Sequence, residues 1–292
     1  MIYVNIIGGL GNQMFQYACG RALSLRKQES LCLVVDEFEH YGLHNGYELK
    51  KVFGIDAPLA HDSELKSLLG FKSHLFLRKL LSKPIMSRFG GDGLLTEPHF
   101  KYWSGINDFN PPFYIQGYWQ SEKYFEDYSD VIREDFSFVN PLSNDDLSLI
   151  DKMKRHQCVA IHVRRGDYLS RKNRGVYSTC SMGYYDNAIR YLTSCVGDLN
   201  LFFFSDDPDW VQENFGRRHE NVTVVRNNFG KNSSNDMRLM AMANHNIISN
   251  SSFSWWGAWL NKTSDKIVVA PQKWFKYKTH DFDLIPQCWI RI

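Results

Sequence analysis

The chain has 292 residues, 43% of them hydrophobic and 15% aromatic, which is enough to build the cores of two domains. Its 34 basic and 32 acidic side chains leave a formal charge of only +2, which argues against a nucleic-acid-binding protein. No apolar run is long enough to cross a bilayer, and the residues after Met1 lack the basic start of a secretion signal. We therefore expect a globular protein.

The six cysteines are scattered without the spacing of a metal site, and several lie in apolar runs. This pattern indicates free, buried thiols, which are typical of a reducing cytoplasm. The sequence therefore predicts a cytoplasmic protein without a bound metal ion.

The first predicted element is a strand over residues 2–7, which runs into the glycine-rich turn at 8–11. A helix is predicted from Asn12 or Gln13, and a second strand then ends at Asp36. Such a unit is typical of a dinucleotide site with the acidic residue on the ribose, but the turn lacks the third glycine of that fingerprint. The glycines indicate close approach of the backbone to a ligand, and an NAD-dependent oxidoreductase is the least supported alternative.

Residues 71–88 form a basic amphipathic stretch in which leucines and phenylalanines are mixed with lysines and arginines. A helix packed on its own domain with a solvated basic face explains this pattern more simply. The alternative is contact with an anionic membrane surface, which would make the protein peripheral to the inner face of the plasma membrane.

The polar, turn-rich segment at 140–146 offers Ser143 or Asn144 as a helix cap. We place the domain boundary there, with one domain over 1–142 and the other over 143–292. Beyond it, strands at 158–163, 199–204, 222–225 and 246–248 alternate with helices near 184–192, from 208, and over 236–243. The alternation predicts an α/β domain with a parallel sheet.

Two arginines follow the predicted central strand at 158–163, at the sheet edge where ligands bind in open α/β folds. Period-two alternation places His162 and Arg164 on one face and Arg165 on the other. A guanidinium matches two phosphate oxygens at once, and Gly166 would let the backbone turn close to the ligand. The sequence therefore favours a phosphorylated ligand, the alternative being a structural ion pair beside a core histidine.

Acidic residues follow the strand at 199–204. Asp207 and Asp209 have the spacing of a metal-binding pair, although a helix cap by Asp206 or Asp207 before Pro208 is the simpler interpretation.

The strand near 246–248 is followed by small polar residues, including Ser251 and Ser252, and then by an aromatic helix. Hydroxyls and backbone amides at a helix N-terminus form an anion site. Helix capping alone would explain the serines equally well, but together with the arginines they favour a diphosphate site.

Four ordered motifs resemble those of the family 11 α-1,2-fucosyltransferases. They are IGGLGNQMFQYA at 7–18, GYWQS at 117–121, HVRRGDY at 162–168 and NSSFSWWGA at 250–258. The resemblance covers nearly the whole chain and implies a bacterial member with a GT-B fold, two Rossmann-like domains facing across a cleft. It also implies inverting, metal-independent transfer of L-fucose from GDP-fucose to the 2-hydroxyl of a terminal galactoside in a cell-surface glycan such as O-antigen.

By this resemblance, Arg164 holds the β-phosphate with support from Arg165 and His162. Asp236, sixteen residues before Ser252, would bind guanine, because one carboxylate can accept both N1–H and N2–H. The residues expected to bind the donor are Gly11, Asn12, Arg164, Arg165, Asp206, Asp236, Ser251 and Ser252.

The general base stays open among Asp167, Asp206 and His162, because residues 169–173 lack the glutamate that α-1,6-fucosyltransferases have after their arginines. The catalytic residues expected are Arg164, His162 and Asp167, and no cofactor or metal ion is expected. The acceptor would be a galactose-containing oligosaccharide, with a lipid-linked one left open, as is the oligomeric state. The competing interpretations are a non-catalytic nucleotide-sugar or glycan-binding module and fucosyl transfer with another linkage.

Overall fold

The computed structural model describes residues 1–40, 45–82, 91, 93–166, 179–219, 221–276 and 283–292. The chain divides into two compact units. The first is Met1–Val139 joined by Asp283 and Leu284, and the second begins at Asn140 and includes Ile285–Ile292. Asp283 is tied to the first unit because its side chain accepts hydrogen bonds from Lys123 and from the Tyr102 backbone. The boundary predicted from the sequence lies at 142/143, and no pattern in the sequence indicates this return of the chain to the first unit.

The first unit contains a parallel sheet of four strands in the order β2-β1-β4-β3. The strands are β1 (Ile2–Asn5), β2 (Leu31–Val34), β3 (Leu94–Thr96) and β4 (Phe113–Gln116). The helices are α1 (Leu10–Lys27), α2 (Leu49–Phe53), α3 (Asp62–Leu69), α4 (Leu75–Leu81) and α5 (Ser129–Asp135). Every residue of the four strands is buried, which fits the short continuous apolar runs of parallel strands.

The glycine-rich turn leads into α1 earlier than predicted. Gly8 has a positive φ of 79°, and the Gly9 carbonyl accepts hydrogen bonds from the N–H groups of Asn12 and Gln13. The helix therefore begins at Leu10, and the predicted start at Asn12 or Gln13 was wrong by two or three residues. These backbone bonds start the helix immediately after the glycine pair.

Helix α4 differs from the packed amphipathic helix that we expected over residues 71–88. Arg78 is only 3% exposed, and its guanidinium pairs with Asp36 and donates a 3.0 Å hydrogen bond to the Tyr114 hydroxyl. Phe71 and Phe76 are instead exposed. The expected arrangement of basic and apolar faces was wrong at these positions, and residues 83–88 lie outside the described residues. Asp36, weighed as a ribose ligand, is used in this ion pair.

The second unit contains a parallel sheet in the order β10-β9-β8-β5-β6-β7. Its strands are β5 (Cys158–Val163), β6 (Asn200–Ser205), β7 (Val222–Val224), β8 (His245–Ile247), β9 (Val268–Ala270) and β10 (Ile290–Arg291). Its helices are α6 (Asn144–Met153), α7 (Met182–Val196), α8 (Pro208–Asn214), α9 (Ser234–Met240) and α10 (Ser252–Leu260). The predicted parallel α/β fold class is confirmed, with β5 between β8 and β6.

The core of the second unit lies between its sheet and helix α7. Ile161, Phe203 and Ile247 of three adjacent strands pack in one buried cluster with Tyr185 of α7.

Ser143 caps α6 as predicted, because its hydroxyl accepts the Asp146 N–H.

The six cysteines are free, but only some are buried. Cys19, Cys32 and Cys158 are buried, whereas Cys195 and Cys288 are exposed, so the expectation of buried thiols was wrong for these two. In the part of the chain that the structure describes, no helix is long and apolar enough to span a membrane.

Candidate functional site

Strands β5 and β6 end side by side, with Val163 opposite Ser205 in the parallel register. The arginines after β5 therefore lie beside the aspartates after β6. Asp206 accepts hydrogen bonds from the N–H groups of Arg165 (2.9 Å) and Gly166 (3.0 Å), and its Oδ2 lies 3.0 Å from Nη1 of Arg164. One carboxylate thus fixes the turn after β5 and the Arg164 side chain together.

Arg165 is held by different groups. Its Nε donates to Asp207 over 3.1 Å, and its guanidinium stacks on the Trp210 ring at 3.8 Å. Asp207 also accepts the Trp210 N–H and so caps α8. The side chains after β5 therefore differ in role, since Arg165 is bound into the α8 cap and Arg164 is paired with Asp206.

Gly166 is required by its neighbour Asp206. A Cβ built on Gly166 would lie 2.8 Å from Asp206 Oδ2, which is closer than a Cβ atom comes to another heavy atom in real structures. From the sequence, we expected a ligand to be the group that comes close to Gly166. In the structure, the group that comes close is the carboxylate that pairs with Arg164.

His162 is buried and its Nδ1 lies 2.8 Å from the Ser249 hydroxyl. Burial, with a smaller contribution from the positive charge of Arg164, lowers the pKa of His162 to about 3. The ring is therefore neutral at physiological pH. A group with so low a pKa is a poor proton acceptor, which argues against His162 as the general base.

The segment after β8 supplies small polar groups beside this cluster. Ser251 is the N-cap residue of α10, but its side chain makes no capping hydrogen bond. Its carbonyl accepts the Trp255 N–H and the Ser254 hydroxyl instead. Helix capping by its hydroxyl, the alternative explanation for Ser251, is therefore not what the structure contains. Ser252 follows as the first residue of the helix and is partly exposed.

Asp236 lies in the first turn of α9, beyond the carboxyl end of β7. Its Oδ1 accepts a 2.9 Å hydrogen bond from the Asn228 side chain, whose amide also donates over 2.9 Å to the buried Asp146. Burial raises the pKa of Asp236 to about 7, a change that the Asn228 hydrogen bond opposes and the charge of Asp146 reinforces. Asp236 is therefore a carboxyl group that titrates near neutral pH.

Asp146 is surrounded by amides. Besides Asn228, it accepts hydrogen bonds from the side chains of Asn227 (2.6 Å) and Asn235 (3.2 Å). These donors, with the Ser143 hydroxyl, stabilise a negative charge inside the protein. Asp146, in the first turn of α6, thus holds the loop at 227–235 that leads to Asp236.

The acidic pair Asp207 and Asp209 is not arranged as a metal site. Asp207 caps α8, and Asp209 is paired with Arg226 at 2.6 Å. Across the described ranges, no group of three or more His, Cys, Asp and Glu side chains is placed to hold a metal ion.

The remaining predicted residues lie elsewhere. Gly11 and Asn12 are in the first turn of α1 in the first unit, where Asn12 Oδ1 accepts a 2.7 Å hydrogen bond from Gln120. Asp167 lies outside the described residues, so its proposed catalytic role is untouched by the structure. In the second unit, the structure brings His162, Arg164, Arg165 and Asp206 together.

Ser249 belongs to the run of small polar residues that the sequence placed after β8, but it had no predicted role. Asn228 and Asp146 were not singled out, although Asn228 lies in the loop after β7, where the strand-end rule would have found it. Asp146 carried only the signal of a helix cap.

Comparison with known proteins gives the family. Residues 96–290 match the family described as Glycosyl transferase family 11. An alpha-1,2-colitosyltransferase of Escherichia coli is 34% identical over 100% of this chain and 99% of its own, and the O-antigen biosynthesis glycosyltransferase WbnK of the same species is 33% identical over 94% and 95%. Galactoside alpha-(1,2)-fucosyltransferase 1 of Mus musculus is 26% identical over 87% of this chain and 61% of its own.

The fold has a solved counterpart. The fucosyltransferase NodZ from Bradyrhizobium superposes with a TM-score of 0.51 and 12% identity, covering 88% of this chain and 91% of that one. At this identity the likeness concerns the fold alone, and it supports the GT-B fold class.

Proposed function

Since this chain belongs to glycosyl transferase family 11 and is a nucleotide-sugar-dependent glycosyltransferase, we propose that it transfers L-fucose from GDP-fucose to the 2-hydroxyl of a terminal galactoside. The transfer inverts the donor linkage and forms an α-1,2 bond without a metal ion. The acceptor belongs to a cell-surface glycan of the O-antigen kind, and the reaction takes place in the cytoplasm. The names of the relatives support the α-1,2 linkage and the glycan class.

The observation that carries the proposal is the pairing of Arg164 with Asp206 at the ends of β5 and β6. Departure of GDP leaves negative charge on the β-phosphate while the sugar gains oxocarbenium character. In the proposed reaction, Arg164 donates to the β-phosphate and takes up that charge. Asp206 keeps its two backbone N–H donors when Arg164 turns to the phosphate, so its own charge stays stabilised.

The other donor contacts follow from the same edge of the sheet. Ser251 and Ser252 at the start of α10 are proposed to meet the diphosphate, and Asp236 to accept the N1–H and N2–H groups of guanine. His162 holds Ser249 and stays neutral, which makes it a positioning residue beside the arginines. The general base is one of the acidic residues Asp167 and Asp206, of which Asp206 already accepts two backbone hydrogen bonds and pairs with Arg164.

Colitosyl transfer is the second candidate, because the relative with 34% identity is named a colitosyltransferase. Colitose is fucose without its 3-hydroxyl group, so the two donors differ by one polar group. A site that hydrogen-bonds this hydroxyl disfavours the donor that lacks it by up to about 10⁴-fold, whereas an apolar pocket discriminates by only about 10²-fold.

The test is incubation of the protein with GDP-fucose or GDP-colitose and a panel of galactosyl disaccharides. GDP release and the linkage of the product by NMR are the two readouts. An α-1,2-fucosylated product formed fastest from GDP-fucose is the expected result. Faster turnover of GDP-colitose would replace the donor in this proposal, and GDP binding without turnover on any acceptor would indicate a non-catalytic binding module.

A further inference from the structure

Large apolar side chains are exposed on the first unit, on the 3₁₀ turn Gly70–Ser73 and on α4. Phe71 is 78% exposed, Phe76 is 72% exposed and Leu80 is 38% exposed. Phe76 and Leu80 are four residues apart in one helix and therefore lie on the same face. Single exposed apolar residues are ordinary, but this group within ten residues of the chain is a concentrated apolar surface.

The sequence around these side chains is rich in basic residues. Residues 65–91 contain six basic side chains and no acidic one. Lys66 on α3 and Lys79 on α4 are both exposed, and Lys79 lies 3.3 Å from Glu37, which is mostly buried. Arg78 adds no exposed charge, because it is buried against Asp36. Among the described residues from 65 to 82, the exposed charged side chains are therefore basic.

We propose that this surface, formed by Phe71, Phe76, Leu80, Lys66 and Lys79, docks on a bilayer that contains anionic phospholipids. The aromatic side chains enter the boundary between headgroups and acyl chains, and the lysines lie near the lipid phosphates. Charge complementarity selects this occupant, since aromatic and apolar anchors flanked by lysines are the pattern of interfacial membrane binding.

Arg78 fixes the segment that carries these side chains. The guanidinium of Arg78, on α4, is buried and donates hydrogen bonds to the Ser73 carbonyl, the Tyr114 hydroxyl and the Asp36 carboxylate. Ser73 closes the 3₁₀ turn that carries Phe71. The buried arginine therefore ties the turn and the helix to the sheet and holds Phe71 and Phe76 in exposed positions.

The experiment is co-sedimentation with vesicles of phosphatidylcholine alone and of phosphatidylcholine mixed with phosphatidylglycerol. We expect binding to the mixed vesicles at low salt, at least tenfold weaker binding to the neutral ones, and release at high salt. The double variant Phe71→Ser/Phe76→Ser should lose at least tenfold in binding to the mixed vesicles. Lys66→Gln/Lys79→Gln should weaken binding severalfold and reduce its dependence on salt.

The matched control is Leu147→Ser, which changes an apolar residue of the second unit that is 49% exposed. It should bind as the wild type does. Because all the changed residues are exposed, thermal melting of every variant should stay at the wild-type temperature, and a variant that melts lower is replaced by the single Phe76→Ser change.

Three outcomes would overturn the proposal. One is equal recovery of wild type in the supernatant with neutral and anionic vesicles, and another is unchanged binding of the double phenylalanine variant. The third is a wild-type dimer in light scattering that becomes a monomer in this variant, with no vesicle binding, which would assign the surface to self-association. Vesicle binding needs neither donor nor acceptor, so it is independent of the proposed reaction.

Discussion

The side-chain amide of Asn228 donates a 2.9 Å hydrogen bond to the carboxylate of Asp236. The same amide donates a 2.9 Å hydrogen bond to the carboxylate of Asp146. An amide nitrogen has two hydrogens, so one Asn228 side chain can serve both carboxylates at once. The proposed guanine ligand is thereby fixed in position and also kept close to a second negative charge.

The first prediction is that GDP affinity depends on pH through Asp236. Its carboxyl must be ionised to accept both guanine N–H groups, and its pKa is raised to about 7. Affinity should therefore rise with pH, by about tenfold between pH 6 and pH 8, as the group changes from mostly protonated to mostly ionised. Calorimetry with GDP at both values measures it.

The control for this prediction is Asp236→Asn, which keeps the shape but cannot ionise. Its GDP affinity should be lower than that of wild type at pH 8, by about 1.5–3 kcal/mol for the lost charged hydrogen bonds. Titration of the GDP phosphate is common to both proteins, so parallel pH profiles would remove Asp236 from the site.

The second prediction separates Asn228 from its neighbour. Asn228→Ala removes the hydrogen bond that lowers the pKa of Asp236, so the midpoint of GDP affinity should move to higher pH. Asn227→Ala removes a 2.6 Å bond to Asp146 but none to Asp236, and its midpoint should move less. The comparison is made on GDP titrations across pH 6–9. A midpoint that moves equally in both variants would mean that the loop acts only through Asp146.

The third prediction concerns Arg164→Lys. Lysine keeps the charge but loses the planar fork that can bond two phosphate oxygens. If Arg164 stabilises the leaving group, kcat should fall about a hundredfold or more, while donor binding suffers less. Arg226→Lys, the same change at an arginine paired with Asp209 in this unit, is the control and should keep wild-type kcat. Steady-state kinetics measures kcat for both variants, and a thermal melt checks that each is folded. Equal kcat values in the two variants would contradict the role of Arg164.

The fourth prediction is that chelation leaves the reaction intact. The leaving-group charge is assigned to Arg164, so activity in EDTA should stay within about twofold of the untreated enzyme. Loss of activity that added Mg²⁺ or Mn²⁺ restores would transfer this role to a metal ion. Asp206, Asp207 and Asp209 would then be the residues to examine.

The fifth prediction tests the turn after β5. Gly166→Ala places a methyl group 2.8 Å from Asp206 Oδ2, so the carboxylate must move and its ion pair with Arg164 is disturbed. We expect a stability loss of about 1–3 kcal/mol and a fall in kcat. In Gly183→Ala the new methyl group would meet Ser181 at 3.8 Å, an ordinary contact, and both quantities should stay near wild type. Denaturant unfolding and kinetics on the two variants provide the comparison.

The parts of the fold that follow from local pattern could be predicted from the sequence. The strand Cys158–Val163 has the predicted bounds because an apolar, β-branched run ends abruptly in charge. The adjacency of Arg164 and Asp206 also follows, since carboxyl ends of neighbouring parallel strands meet at one edge. The short strand Val268–Ala270 was not predicted, because three residues carry too little periodic signal.

Features that depend on tertiary contacts could not be predicted. The burial of Arg78 requires Asp36 and Tyr114, which are 42 and 36 residues away in sequence. The low pKa of His162 and the raised pKa of Asp236 both depend chiefly on burial, which spacing does not reveal. Strand position identified His162 and the family resemblance identified Asp236, but the charge states of both come from their surroundings.

The ion pair between Arg164 and Asp206 has a consequence for the release of product. A guanidinium that already has an anionic partner exchanges one anion for another when it meets a phosphate, so its net gain on binding is small. In the proposed reaction, Asp206 competes with GDP for Arg164 once the sugar has left. In that reaction, the carboxylate that pairs with Arg164 beforehand thus also favours the release of GDP afterwards.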